Sequence, residues 1–149
     1  MTITQAQYYA NVKSIHDAII AAGETPLFAA AMIAQSDAES SNDPKAIGDH
    51  GEAWGLWQWH IDRVVAIRHG CGIDIHLLPP VADQVKAMLW EMHHVEKSAY
   101  AKINACKTSY DAGMTACTAY ERAGAPGQAV KRGNRAAFWA AYFMQQHGG

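Results

Sequence analysis

Apolar residues recur along this chain at intervals of three and four, the spacing of helices that each bury one face. Tyr8, Val12, Ile15 and Ile19 form such a stripe between Thr4 and Ala22, which stops at Gly23. Thr25 to Glu39 predicts a second helix, with Thr25 as its cap and Pro26 at the first helical position. A third of two to three turns is expected from Ile61 to His69, ending at Gly70, and Cys71 to Pro80 reads as loop. Pro79-Pro80 leads a long helix from Val81 to about Ser98, with a seam of Val81, Val85, Met88, Met92 and Val95. Thr108 to Arg122 and Gln128 to Gln146 are the last two, parted by Gly124-Ala125-Pro126-Gly127. Sustained strand alternation is absent, although the loop at 44–60 has room for a short hairpin. The expectation is a mainly α fold of one domain over residues 1–149, without repeat or linker.

Composition narrows the function. A chain of 149 residues buries about two-thirds of its unfolded surface, enough for one core. Net charge is −2, so no general field attracts nucleic acid or anionic lipid. Lys131, Arg132 and Arg135 are the one basic cluster and read as a solvated helix flank. The start, MTITQAQYYANVKS, lacks the apolar centre of a signal peptide, and the longest apolar run, Pro26 to Ala34, is too short for stable membrane insertion. Cys71, Cys106 and Cys117 are odd in number and unlike a zinc pattern, as expected of reduced thiols; pairing of Cys106 with Cys117 stays open. Adjacent His93 and His94 point about 100° apart on a helix and cannot share an ion, and no HExxH or G-x-S-x-G occurs. Neither metal nor cofactor is expected.

The chemistry concentrates around Glu39. Phe28, Met32, Gln35 and Glu39 share one helix face, so Glu39 ends a buried stripe, where partial burial favours the protonated acid. Asn42-Asp43-Pro44 breaks the helix, and Gly48, Gly51 and Gly55 permit a loop that doubles back with Asp49 facing Glu39. A proton-donating carboxyl and a second carboxylate that holds water suit glycosidic cleavage. Without Glu39, Asp49 would read as an Asx-turn residue. Trp54, Trp57 and Trp59 follow within the turn and cannot all enter one core; at least one is expected to line a groove or floor the acid's pocket. Gln58 suits an acetamido group or merely ties down the loop. Glu121 lines the cleft with Tyr120 or pairs with Arg122, Arg132 or Arg135.

These residues carry a resemblance. Glu39-Ser40 with Asp43-Pro44-Lys45-Ala46 resembles the "ES, then NP-x-A" signature of soluble lytic transglycosylases. Gly48-Asp49-x-Gly51-x-x-x-Gly55-Leu56-x-Gln58 is similar to a stretch of goose-type lysozymes, and Tyr120-Glu121-Arg122-Ala123-Gly124 with Arg132 to Phe138 to a segment of phage tail-associated lysozymes. The resemblance implies a lysozyme-like helical domain with an irregular loop or hairpin beside a cleft. It implies a peptidoglycan muramidase with Glu39 as general acid and Asp49 positioning water; Trp54, Trp57, Gln58, His60, Tyr120 and Glu121 are the residues expected toward the glycan strand. His60 stands where the goose-type pattern has a second aspartate. Hydrolysis and transglycosylation both stay open, as does a wall-binding module that does not cleave. The resemblance further implies synthesis in a bacterial cytoplasm and action on the wall after release through a holin-dependent route, or as part of a virion among phage tail proteins.

Overall fold

The computed structural model describes residues 3–148, with side chains from 3 to 146. Seven α-helices and a two-stranded hairpin make up the described residues. Helix α1 (Gln5–Ala21) starts in a capping box: Thr4 accepts from the Gln7 amide at 3.1 Å while the Gln7 side chain accepts from the Thr4 amide at 2.9 Å. It buries Val12, Ile15 and Ile19 as the spacing predicts. Helix α2 (Pro26–Ser40) begins at Thr25, which caps the Phe28 amide. Every residue from Phe28 to Ser36 is buried, so α2 runs through the centre of the molecule.

Strand β1 (Ile47–Gly48) pairs antiparallel with β2 (Ala53–Trp54) across a turn at Asp49–Gly51, the short hairpin for which the loop has room. Helix α3 (Ile61–Cys71) runs past the expected stop at Gly70. Any side chain at Gly70 would enter the Trp90 ring, so that glycine serves a close helix contact, and Gly72, at φ 79°, is the actual cap. Trp90 is accordingly only half-buried, whereas Trp139 is fully enclosed.

The long helix expected over 81–98 is two helices, α4 (Val81–His94) and α5 (Lys97–Asn104). Both the Val95 and Glu96 amides converge on the Glu91 carbonyl, and Arg122 clamps the Glu96 carboxylate at 2.6 and 2.8 Å. Val95 is therefore exposed and leaves the seam. Helix α6 (Ser109–Ala116) is also shorter than expected. It passes into a π-helical turn (Cys117–Glu121), after which Arg122 adopts a left-handed conformation. Helix α7 (Gln128–Gly148) closes the structure. It crosses α6 closely: a Cβ at Gly113 would lie 2.6 Å from the Arg132 carbonyl, and one at Gly133 2.9 Å from that of Tyr110.

The buried apolar residues form one continuous cluster. Trp57 and Trp59 both enter it, edge to face at 5.4 Å, while Trp54 stays only partly buried at its edge, so the three loop tryptophans do not all enter the core. Each indole N–H has a buried acceptor: Trp57 donates to the Met32 carbonyl at 3.0 Å and Trp59 to Glu91 at 2.7 Å. Cys71, Cys106 and Cys117 are all free thiols.

Candidate active site

Side-chain bonds fix the end of α2 and the loop that follows it. The Ser40 hydroxyl reaches the Leu56 carbonyl at 2.7 Å. Gln84, buried on α4, accepts from the Leu56 amide and donates to the carbonyls of Pro44 and Pro79, each at 2.8 Å. After Ser40 the chain turns through left-handed Ser41 and Asn42; Asn42 is buried, bonded to the Ser36 hydroxyl, and its carbonyl accepts from Asn11 at 3.0 Å. Glu39 is thus held at the rim of the core, with 24% of its side chain exposed.

Behind Glu39 lies a buried cation. Arg132 donates to Glu39 at 3.0 Å, to Gln35 at 3.0 Å and to Gln128 at 3.3 Å. Gln35 is oriented in turn by donating to the carbonyls of Ala31 and Gly113. Arg132 is only 4% exposed, so it is no solvated flank. Its sequence signal was available: Arg132, Ala136, Trp139 and Phe143 fall at i, i+4, i+7 and i+11, and all four are buried. Arg135 is committed elsewhere, to Asp37 at 2.5 Å, where Tyr8 also donates at 2.8 Å.

Asp49 occupies the hairpin turn in a left-handed conformation (φ 49°). Its carboxylate meets the His60 ring, Nε2 to Oδ2 at 3.0 Å, with both side chains more than half exposed. The loop therefore brings together Asp49 and the histidine that stands in for the second aspartate of the goose-type pattern. Gln58 takes the scaffold alternative: its amide donates to the carbonyls of Ala46 and Gly55, and its oxygen packs on Gly48, where a side chain would collide. Trp54 is half-buried and lies edge-on to His76 at 5.0 Å, leaving part of its ring open.

Two residues expected to line the cleft lie inside. Trp57 and Tyr120 have no exposed surface and offer no ring face to a ligand; Trp57 floors the loop against α2. Tyr120 belongs to a second buried network, centred on Glu91. That carboxylate accepts from the Tyr120 hydroxyl at 2.6 Å, from Trp59 at 2.7 Å, and from Arg63 at 2.8 and 2.9 Å, while Arg63 caps the Tyr120 ring at 4.6 Å. Burial and the Glu91 charge hold the Tyr120 hydroxyl well above its ordinary range.

Glu121, in the π turn, makes none of the ion pairs expected of it. Arg122 is taken by Glu96, Arg132 by Glu39 and Arg135 by Asp37. Its Oε1 is sealed from solvent and has no hydrogen-bond partner. Burial first, then the charge on Glu39, push the Glu121 carboxyl far above the usual range, against the pull of Arg63 and Arg132. The adjacent histidines of α4 go separate ways: His93 meets Glu24 at 3.0 Å and His94 stacks on Trp90.

A family model described as phage tail lysozyme matches residues 10–143, a span that includes Glu39, Asp49, His60, Glu91, Glu121 and Arg132. The chain belongs to the phage tail lysozyme family. That family supports a phage-associated, lysozyme-like function in cell-wall lysis, with peptidoglycan as the fitting substrate. Comparison with curated proteins gives no match. No helix among the described residues is long and apolar enough to cross a membrane.

Proposed function

We propose that this member of the phage tail lysozyme family is a muramidase that cuts the β-1,4 bond between N-acetylmuramic acid and N-acetylglucosamine, with Glu39 as general acid. The observation that carries this reading is the setting of Glu39, a carboxyl at the open end of an otherwise buried helix face, positioned by the internal guanidinium of Arg132. In the loaded site Glu39 gives its proton to the glycosidic oxygen as the bond to the muramic C1 breaks. Asp49 orients the attacking water, His60 takes up the released proton, and the product is a reducing sugar. Trp54 supplies an aromatic edge for a sugar ring, and Gln58 serves by shaping the loop.

The exposure of Asp49 supports a second reading. Two-thirds of its side chain is open, and among the described residues its ionic partner is His60. If the turn leaves the water unanchored, Glu39 removes the proton of the muramic 6-hydroxyl, which then closes on C1 to give an anhydro product. Mass spectrometry of sacculus digests tests both readings. Reducing muramic ends are expected, and anhydro ends would instead establish a transglycosylase. Glu39→Gln should lower the rate by about 10²–10⁴ while leaving sacculus binding intact, and a variant keeping more than a tenth of the rate would remove Glu39 from the mechanism.

A further inference from the structure

The basic cluster near the start of α7 is only partly used at the candidate active site. Lys131, Arg132 and Arg135 line, together with α2, a cleft of about 330 Å³, within the size range of small-ligand sites. Ala34 and Ala38 supply the α2 wall, and their short side chains leave the space open. Asp37 lies on that wall too, and Gln128 lies on the α7 side. Two of the three cations are matched, Arg132 by Glu39 at 3.0 Å and Arg135 by Asp37 at 2.5 Å. Lys131 is exposed and has no ion pair among the described residues. The cleft therefore carries one uncompensated positive charge, on a chain whose net charge is −2.

Hydrogen-bond donors are left over as well. Arg132 is 4% exposed, and its Nε has no partner although its other nitrogens serve Gln35, Glu39 and Gln128. Gln128 spends its oxygen on Arg132 at 3.3 Å, and its amide NH₂ is uncommitted among the described residues. Gln128 and Lys131 stand three residues apart in the first turn of α7, on one face, where the helix dipole adds positive potential. Asp37 does not compete for them, because Tyr8, Arg135 and Trp139 already donate to its carboxylate. An ammonium beside an amide N–H is a donor pair that suits the two oxygens of a carboxylate. The cleft also adjoins Glu39, since one Arg132 nitrogen bonds both Glu39 and Gln128. A substrate cut at Glu39 presents to the cleft whatever it carries close to the scissile bond. In peptidoglycan that is the peptide on the muramic lactyl group, which bears free carboxylates. The geometry points to the α2–α7 cleft as a subsite for a carboxylate of that peptide, with Lys131 and Gln128 as donors and Arg132 behind them. This subsite rests on the muramidase reading above and extends it from the sugar to the peptide. A phosphate of another wall polymer has similar oxyanion chemistry but is not tied to the scissile bond.

Soluble fragments with no glycosidic bond to cut separate binding from cleavage. In NMR titrations at pH 7 and fixed ionic strength, N-acetylmuramoyl-L-alanyl-D-glutamate should bind about fivefold more tightly than its diamide, with shifts at Gln128 and Lys131. Lys131→Ala should abolish that preference, and Lys131→Arg, which keeps the charge, should retain most of it. The Lys131 side chain is exposed and unpaired, so neither change threatens the fold. Equal affinity for the two fragments, or a preference that survives Lys131→Ala, would overturn the subsite. Glycerol 3-phosphate, standing for a wall phosphate, should bind more weakly than the dicarboxylate; tighter binding through Lys131 would overturn the peptide as the source. On purified sacculi Lys131→Ala should act on KM, raising it about fivefold, and an unchanged KM would count against the subsite. The two readings fail separately. A carboxylate preference in a protein that leaves sacculi uncut would support the cleft and refute the muramidase. Equal fragment affinities in a protein that cuts sacculi would refute the cleft alone.

Discussion

Replacing Glu91 by Gln should cost more stability than any other single-atom change in this interior. The carboxylate is 3% exposed and serves four donors: Oε1 takes Trp59, Tyr120 and one Arg63 nitrogen, and Oε2 takes the other. An amide retains one accepting oxygen. If that oxygen stays with Trp59 and Tyr120, the new NH₂ points at the Arg63 Nε, donor against donor over 2.8 Å. If the amide flips, all three donors at Oε1 lose their acceptor instead. In either orientation Arg63 is left without a counter-charge, and breaking a buried pair from one side costs about 3–5 kcal/mol. For a chain of 149 residues that corresponds to a fall in melting temperature of roughly 10 °C or more. Thermal unfolding followed by circular dichroism, at equal protein concentration and pH 7, measures it directly. A fall below about 3 °C would refute the argument, because it would mean that water or a rearranged Arg63 satisfies the network as well as the carboxylate does.

Two further outcomes follow from other sites. Tyr8 and Tyr100 are each pushed from 10.0 to about 12, by burial first and then by the Asp37 and Glu24 carboxylates they hydrogen-bond. Below pH 10 folded and unfolded chains both keep these protons and the contribution is complete; from pH 10 to 12 the unfolded chain releases protons the folded one retains, so stability should fall across that window, and a denaturant midpoint that is flat there would contradict it. Asp49→Asn should lower hydrolysis by far more than tenfold while leaving the melting temperature nearly unchanged, given that Asp49 is exposed and sits in a turn conformation Asn accepts. A variant nearly as active, with anhydro ends on its products, would make Asp49 a turn residue.

The sequence carried the features that local chemistry decides. Thr4 with Gln7, and Thr25 with Pro26, mark helix starts that the structure reproduces within a residue, and the stripe from Phe28 to Gln35 located Glu39 at the edge of the core. What it hid was set by contacts between distant segments. Gly70 reads as a helix stop until Trp90 is seen lying against it, and no glycine or proline announces the break at Val95, which depends on Arg122 gripping Glu96. By its sequence neighbours Glu91 is one more acid on the long helix. Its partners Trp59, Arg63 and Tyr120 come from about 30 positions away on either side, so nothing local distinguishes it. Arg132 is different, because its place on the Ala136–Trp139–Phe143 face was readable and was outweighed by the neighbouring Lys131 and Arg135.

The two buried ion pairs do different work, and their exposure shows the division. Arg63–Glu91 is closed off, and through Trp59 it anchors the residue that precedes His60 and bridges back to Trp54 in the hairpin. Its role is to fix the loop that carries Asp49 and His60. Arg132–Glu39 is buried on the arginine side and open on the glutamate side. A helical scaffold of this size has no need of charge there, since well-packed apolar residues stabilise such an interior at least as well as an ion pair. Retaining an arginine, two glutamines and a second, unpaired glutamate behind one half-open carboxyl is a costly way to build a core. It is a direct way to hold a carboxyl in position while leaving part of it open to solvent.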